Sequence, residues 1–272
     1  MSYPKQIIYN INYQKILIDL IFSKKSVDFV DNFKSLINAG PNKNLVMLGR
    51  ARGGIYLAVK QAIKIKKSNL VFLSPYTIQE VIDLVVHAGG NPYFIDFEKD
   101  TTFLDLNLLN NEMKRNPAAV ILTHYNTNQI YYEEISNIIK KYNSVLIEDS
   151  ALSISGKSKG KDINSLSDFS IFSFSSFKLL NCFYGGAILI NNHSNNELIS
   201  EINSWPNLKI KDYISQFYRT ILFDLAMNKF FYKRFTVNYL KRRIQTEGLS
   251  DFVENKLKIE KALINESYFT KP

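Results

Sequence analysis

The chain has 272 residues, 46% hydrophobic and 22% charged, which suits a globular protein with a sizeable core in one large domain or two small ones. Its formal net charge of +9 favours anionic partners: phosphates, nucleotides, nucleic acid or an anionic membrane. The single Cys182 excludes an intrachain disulfide, three histidines and that cysteine leave little for a metal site, and no apolar run reaches the roughly 18–20 residues of a membrane span. With no signal peptide recognised, the cytoplasm is the expected compartment.

Residues 1–40 have helical apolar spacing at Ile16, Leu20, Phe29, Phe33 and Ile37, and predict one or two helices. "NLVMLG" (44–49) predicts a strand, followed by a glycine-bearing turn and an amphipathic helix over about 53–66. "NLVFLSP" (69–75) is a second strand, stopped by Pro75. Residues 78–88 predict a helix ended by Gly89-Gly90. "PYFID" (92–96) is a third strand, 104–115 a helix, "AAVILTH" (118–124) a strand, 131–142 a helix and "SVLIED" (144–149) a strand. "DFSIFSF" (168–174) and "GGAILINN" (185–192) form a last strand pair. Strands that are apolar throughout and alternate with helices imply a mostly parallel sheet covered on both faces, a three-layer α/β/α arrangement. Ligands of such sheets bind at the C-terminal ends of the strands. Polar residues cluster there: Arg50 to Gly54, Tyr76, and Glu148-Asp149.

Three stretches bear on chemistry. "GRARGG" (49–54) is a small-residue turn into a helix, whose first N–H groups can hold a phosphate; it can equally be a plain turn. In "IEDS" (147–150), Asp149 ends an apolar strand, where an ionised carboxylate is costly without a partner; a helix N-cap or a salt-bridged loop acid is the alternative. In "FSFSSFKLLNCFYGG" (172–186), Lys178 stands alone among apolar residues and serines. A surface lysine is the plain reading. A lysine held in an apolar site instead has a lowered pKa, and its neutral amine can condense with an aldehyde to a Schiff base. Together the three describe a site for pyridoxal 5'-phosphate: the lysine takes the aldehyde, the aspartate keeps the pyridine nitrogen protonated, and the helix start with a serine hydroxyl holds the phosphate.

From about residue 44 to about 204 the sequence resembles the DegT/DnrJ/EryC1/StrS sugar aminotransferases, which have the aspartate-aminotransferase fold. "RARGGIYLAV" is similar to the family's phosphate-binding turn and helix, and "SPYTIQEVIDLVVHAGGNPYFIDF" follows its next strand, helix and strand. "VLIEDSALSISGKSKGKDINSLSDFSIFSFSSFKLLNCFYGGAILINN" is similar to its central signature. The resemblance implies a pyridoxal phosphate enzyme that makes amino sugars on nucleotide-linked keto-sugars for surface polysaccharide or related glycans, with glutamate as donor, working as a homodimer. It implies Lys178 and Asp149 as catalytic residues. Ser173 and the turn Ala51, Arg52 and Gly53 would hold the phosphate, with Tyr76, Ile78 and His124 near the cofactor. No metal and no nucleic acid belong to this reading.

The chain departs from the family in three places. Leu152 stands where a glutamine or histidine reaches the pyridoxal 3-oxygen, Ile78 stands where an aromatic ring stacks on the cofactor, and the likeness fades after residue 205. The expected division is a pyridoxal-phosphate-binding large domain over 1–204 and a helical C-terminal extension over 205–272, an incomplete small domain. These departures raise the alternative of a shortened, catalytically impaired homologue acting as a non-enzymatic partner or regulatory subunit. Within 205–245, "FYRTILFDLAMNKFFYKRF" resembles the extra aromatic and basic helices of one subset of the family. Residues 212–245 read as an amphipathic cationic helix. Packing of its apolar stripe on the main domain or a second subunit is the favoured reading; peripheral contact with an anionic membrane is the other.

Overall fold

The computed structural model describes residues 29–40, 43–125, 131–176, 178–192, 196–248 and 269–271. Helix α1 (Phe29–Leu36) precedes strand β1 (Asn44–Leu48) and helix α2 (Ala51–Lys66). Then come β2 (Leu70–Leu73), α3 (Gln79–His87), β3 (Asn91–Phe94), α4 (Leu106–Glu112), β4 (Ala119–Thr123), α5 (Tyr132–Lys141) and β5 (Val145–Asp149). A two-stranded ribbon, β6 (Lys157–Ser158) and β7 (Lys161–Asp162), leads to β8 (Phe169–Ser173) and β9 (Gly186–Ile190). Helices α6 (Asn196–Ser204), α7 (Ile210–Met227) and α8 (Val237–Glu247) follow. Between α7 and α8 lie a helical turn at Lys229–Phe231 and a π turn at Tyr232–Thr236.

The large sheet has seven strands in the order β1-β9-β8-β5-β4-β2-β3. Only β9 runs against its neighbours, β1 and β8; the other strands run the same way. Both faces are covered, and the side-chain period of two sorts each strand between them. Val71, Leu73, Ala119, Ile121, Val145, Ile147, Phe169, Ile171, Ile188 and Ile190 share one core with α2, α3 and α6. Phe72, Val120, Leu122 and Leu146 point the other way into a core closed by α4 and α5. Phe172, Ala187 and Leu189 extend that second face toward α1, where the Phe33 ring meets those of Phe172 and Phe174 edge to face at 5.1 and 5.0 Å. The fully buried apolar runs of β4, β5, β8 and β9 follow directly, because a strand covered on both sides has no solvent face to show.

Helix ends follow local chemistry. Asp105 caps α4 by accepting the Asn107 and Leu108 N–H groups. Helix α2 begins at Ala51, two residues before its expected start, and its N-cap residue Arg50 makes no side-chain cap. The Arg50 guanidinium turns instead to Tyr184, donating to its hydroxyl at 2.8 Å with the ring 4.1 Å from the guanidinium carbon.

One sequence expectation is met only in part. Of the apolar spacing of α7, Phe217 packs on the main domain together with Thr220, while Ile214 and Leu225 are exposed, as are Tyr218 and Leu222. The helical expectations over 1–28 and 249–268 lie outside the described residues; at the end of the tail Lys271 forms a bridge with Asn207. Thr270 accepts the Gly49 N–H at 2.7 Å, and Phe269 packs edge to face on Trp205 and Tyr56.

Candidate active site

The C-terminal edge of the sheet gathers the residues singled out by sequence. Strand β5 ends on Asp149, β8 on Ser173, and β4 runs into His124; β1 opens into the first turn of α2. This follows from topology, since parallel strands deliver their C-terminal ends to one edge of the sheet.

Ser173 sits opposite Gly186 in the β8–β9 register. A Cβ on Gly186 would lie 2.7 Å from Ala51 Cα and 2.9 Å from the Arg50 carbonyl carbon, and closer still to Ala51 N. The absence of a side chain here lets the start of β9 touch the start of α2, and places the Ser173 hydroxyl beside that helix's first turn. Ser173 is buried, and its Oγ pairs with Ser175 Oγ at 3.1 Å. The Gly53 N–H already donates to the Arg50 carbonyl at 3.2 Å, so it is engaged within the turn. The guanidinium of Arg52 is likewise directed elsewhere, to Glu80 Oε1 at 2.6 Å.

Asp149 and Lys178 form the other end. Asp149 Oδ1 accepts the Ala151 N–H at 3.1 Å. Burial pushes the Asp149 carboxyl above its usual range, while the Ala151 N–H, Lys178 and His124 pull it back. Burial lowers the Lys178 amine below its usual value; Arg52 adds to this, and Asp149 and Glu80 oppose it. The amine and the carboxylate therefore lie within electrostatic reach of each other in one poorly solvated place. The loop carrying Lys178 is held from outside by α7. Ser176 Oγ and Thr220 Oγ1 are 2.6 Å apart, and the ring of Phe183 packs edge to face on Phe217 at 5.1 Å. Phe183 has φ +65°, a conformation that bulky residues rarely adopt, and the packing against α7 holds it there.

His124 is fully buried under the site, its Nε2 2.8 Å from Glu148 Oε1. The same carboxylate accepts the Asn164 N–H and the Ser170 hydroxyl, both at 3.2 Å. Tyr76 and Ile78, between β2 and α3, are exposed, with the Tyr76 ring 5.4 Å from that of Phe97; Leu152 is exposed on the turn after β5.

Two residues, Glu80 and Tyr125, join this constellation without having been singled out in sequence, and a third, Glu148, named there beside Asp149, takes a role the sequence did not assign. Glu80 pairs with Arg52 and acts on Lys178. Glu148 sits beneath His124. Tyr125 lies 3.2 Å from Ser74 Oγ; burial, and then the nearby Asp149 charge, raise its pKa. The pair Glu148-Asp149 and the run "THYNT" were both visible in sequence, but nothing there distinguishes a buried supporting acid from one that faces a ligand.

The arrangement fits a phosphorylated aromatic aldehyde. Lys178 and the buried Asp149 lie close enough for each charge to act on the other, and the side-chain-free approach at Gly186 sets the Ser173 end of β8 against the start of α2. The comparisons with known proteins agree in kind. The model of the DegT/DnrJ/EryC1/StrS aminotransferase family matches residues 24–228. A UDP-4-amino-4,6-dideoxy-N-acetyl-beta-L-altrosamine transaminase of Campylobacter jejuni is 34% identical over 163 residues, covering 59% of this chain and 42% of that protein. An uncharacterised protein of Methanocaldococcus jannaschii is 28% identical over 168 residues, covering 62% of this chain and 42% of that one. The chain thus spans less than half the length of these two curated relatives. Among solved structures, the Helicobacter pylori aminotransferase PseC superposes with TM-score 0.60 at 18% identity, over 72% of this chain and 54% of that chain, a likeness of fold.

Proposed function

The chain belongs to the DegT/DnrJ/EryC1/StrS aminotransferase family, and from that premise we propose that it binds pyridoxal 5'-phosphate and transfers an amino group to a nucleotide-linked keto-sugar. Glutamate is the donor in this reading, and a homodimer the working assembly. What supports it is Asp149, buried at the C-terminal end of β5 beside the first turn of α2 and the Ser173 end of β8, with Lys178 close enough for its charge to act on that carboxylate. The transaminase among the relatives supports a nucleotide-sugar substrate and weighs against a non-enzymatic role.

Pyridoxal phosphate, when bound, supplies an aldehyde that condenses with amines and a ring that accepts electron density. The residues supply the rest. Lys178 Nζ, made less basic by burial, would be the amine that takes the aldehyde of a bound cofactor, and as a free amine it would be the group placed to move a proton to and from the carbon that carries the transferred nitrogen. The Asp149 carboxylate would hold a proton on the pyridine nitrogen, and the positive charge so formed would offset part of the cost of burying the carboxylate. The Ser173 hydroxyl and the N–H groups of Ala51 and Arg52 bind phosphate oxygens at the positive end of α2. Leu152 offers no hydrogen bond to the ring oxygen.

Turnover is the test. The protein loaded with pyridoxal phosphate should show a visible absorption band that glutamate bleaches and that a nucleotide-linked keto-sugar restores. A band that glutamate leaves unchanged would refute aminotransfer from this donor, and no band at all would refute the cofactor.

A further inference from the structure

The outer face of α7 and the turn into α8 carry an apolar and cationic surface that the site does not use. Ile210, Ile214, Tyr218, Leu222 and Leu225 recur at four, four, four and three residues, so they form one stripe along α7, each between 47% and 77% exposed. The helix turns Phe217 and Thr220 to the protein instead. Beyond α7, Phe230, Phe231, Phe235 and Tyr239 are also exposed. Among them Asn228, Phe230, Lys233, Arg234, Phe235 and Asn238 line an open cavity of about 940 Å³. Monomeric proteins seldom leave so many neighbouring large apolar side chains in water.

Charge decides what covers this surface. Residues 209–248 hold nine Lys or Arg (209, 211, 219, 229, 233, 234, 241, 242, 243) against three Asp or Glu (212, 224, 247), a balance of +6 out of +9 for the whole chain. Within α7, Lys211 and Arg219 are balanced by Asp212 and Asp224, so the excess lies in the turn and α8 over 229–243, and a second copy meeting the Phe230–Tyr239 part of the face across a two-fold axis would set those basic residues against themselves. An anionic lipid surface complements it. Aromatic and aliphatic side chains enter the headgroup boundary while basic side chains meet phosphates, as amphipathic helices do when they lie in the plane of a bilayer. No helix among the described residues is long and apolar enough to cross a membrane, which fits a helix lying on the surface.

We propose that the outer face of α7, with the Phe230–Phe235 turn and Tyr239, docks the protein on an anionic lipid bilayer. The test is sedimentation of the full chain with vesicles of phosphatidylcholine alone or mixed with phosphatidylserine. The protein should partition onto the mixed vesicles only, and less so as salt rises. Lys233→Glu/Arg234→Glu should weaken that partition about tenfold or more. Leu222→Ser/Phe230→Ser should weaken it as well. All four side chains are exposed, so circular dichroism and the pyridoxal phosphate absorption band should be unchanged in both variants. Equal partition onto neutral vesicles, or none onto the mixed ones, would overturn the proposal. So would self-association that Leu222→Ser/Phe230→Ser abolishes without vesicle binding, since that assigns the face to a second copy.

Discussion

Gly186→Ala isolates the approach on which the phosphate end of the site depends. Gly186 does not have a positive φ, so alanine brings no backbone penalty and the whole effect is one of space. The added methyl would lie 2.7 Å from Ala51 Cα and 2.9 Å from the Arg50 carbonyl carbon, where ordinary contact begins at 3.4 Å. The obstacle is backbone at the start of α2, which cannot swing aside as a side chain can. The helix start or β9 must therefore shift by several tenths of an ångström. Overpacking of this kind costs about 1–3 kcal/mol, and a backbone obstacle belongs at the upper end. For a chain of this size, about 3 kcal/mol corresponds to a melting temperature lower by about 6–12 °C. The displaced turn should also bind pyridoxal phosphate roughly tenfold to a hundredfold more weakly, since sites lose that much to small misplacements. Thermal melts and absorbance titrations measure the two effects. Gly40→Ala is the control: nothing lies within 4 Å of its added methyl and its φ is not positive, so it should be neutral or slightly stabilising. A Gly186→Ala protein that melts with the wild type and titrates with equal affinity would refute the reasoning.

Asp149→Asn should stabilise the cofactor-free protein at neutral pH while weakening pyridoxal phosphate. The folded carboxyl is held above its unfolded value, so burying it costs stability once pH exceeds the unfolded value of about 4, and that cost is full above the folded value. The advantage of asparagine should therefore vanish as pH falls below about 4, where both side chains are neutral; an advantage independent of pH would contradict this account. Tyr132→Phe should cost about 1–3 kcal/mol, because the fully buried hydroxyl accepts the Leu166 N–H at 2.8 Å and bonds to Glu148. Urea denaturation at unchanged m-value reads this, and an unmoved midpoint would refute it.

Much of the layered sheet could be read from the chain because fully apolar strand runs such as "AAVILTH" and "SVLIED" have one economical home, between two helical layers. Asp149 and Ser173 stand out in sequence as polar ends of apolar strands, and the structure ends β5 and β8 on them. What could not be read is where side chains turn once several partners compete. The sequence leaves open where the Arg52 guanidinium turns, and Glu80, 28 residues on, claims it. Glu148 and Asp149 are adjacent acids, and only the strand's period of two sends one beneath the sheet edge and the other toward Lys178. The periodicity of α7 announces an apolar stripe but not its cover; the inner contact is made by Phe217 and Thr220, leaving the stripe outside.

Reductive trapping of pyridoxal phosphate with borohydride, followed by peptide mass mapping, tests the central claim most directly. The account predicts one phosphopyridoxyl adduct, on the peptide containing Lys178, and its loss in Lys178→Ala while the protein stays folded. An adduct scattered over surface lysines, or one that persists in Lys178→Ala, would contradict it.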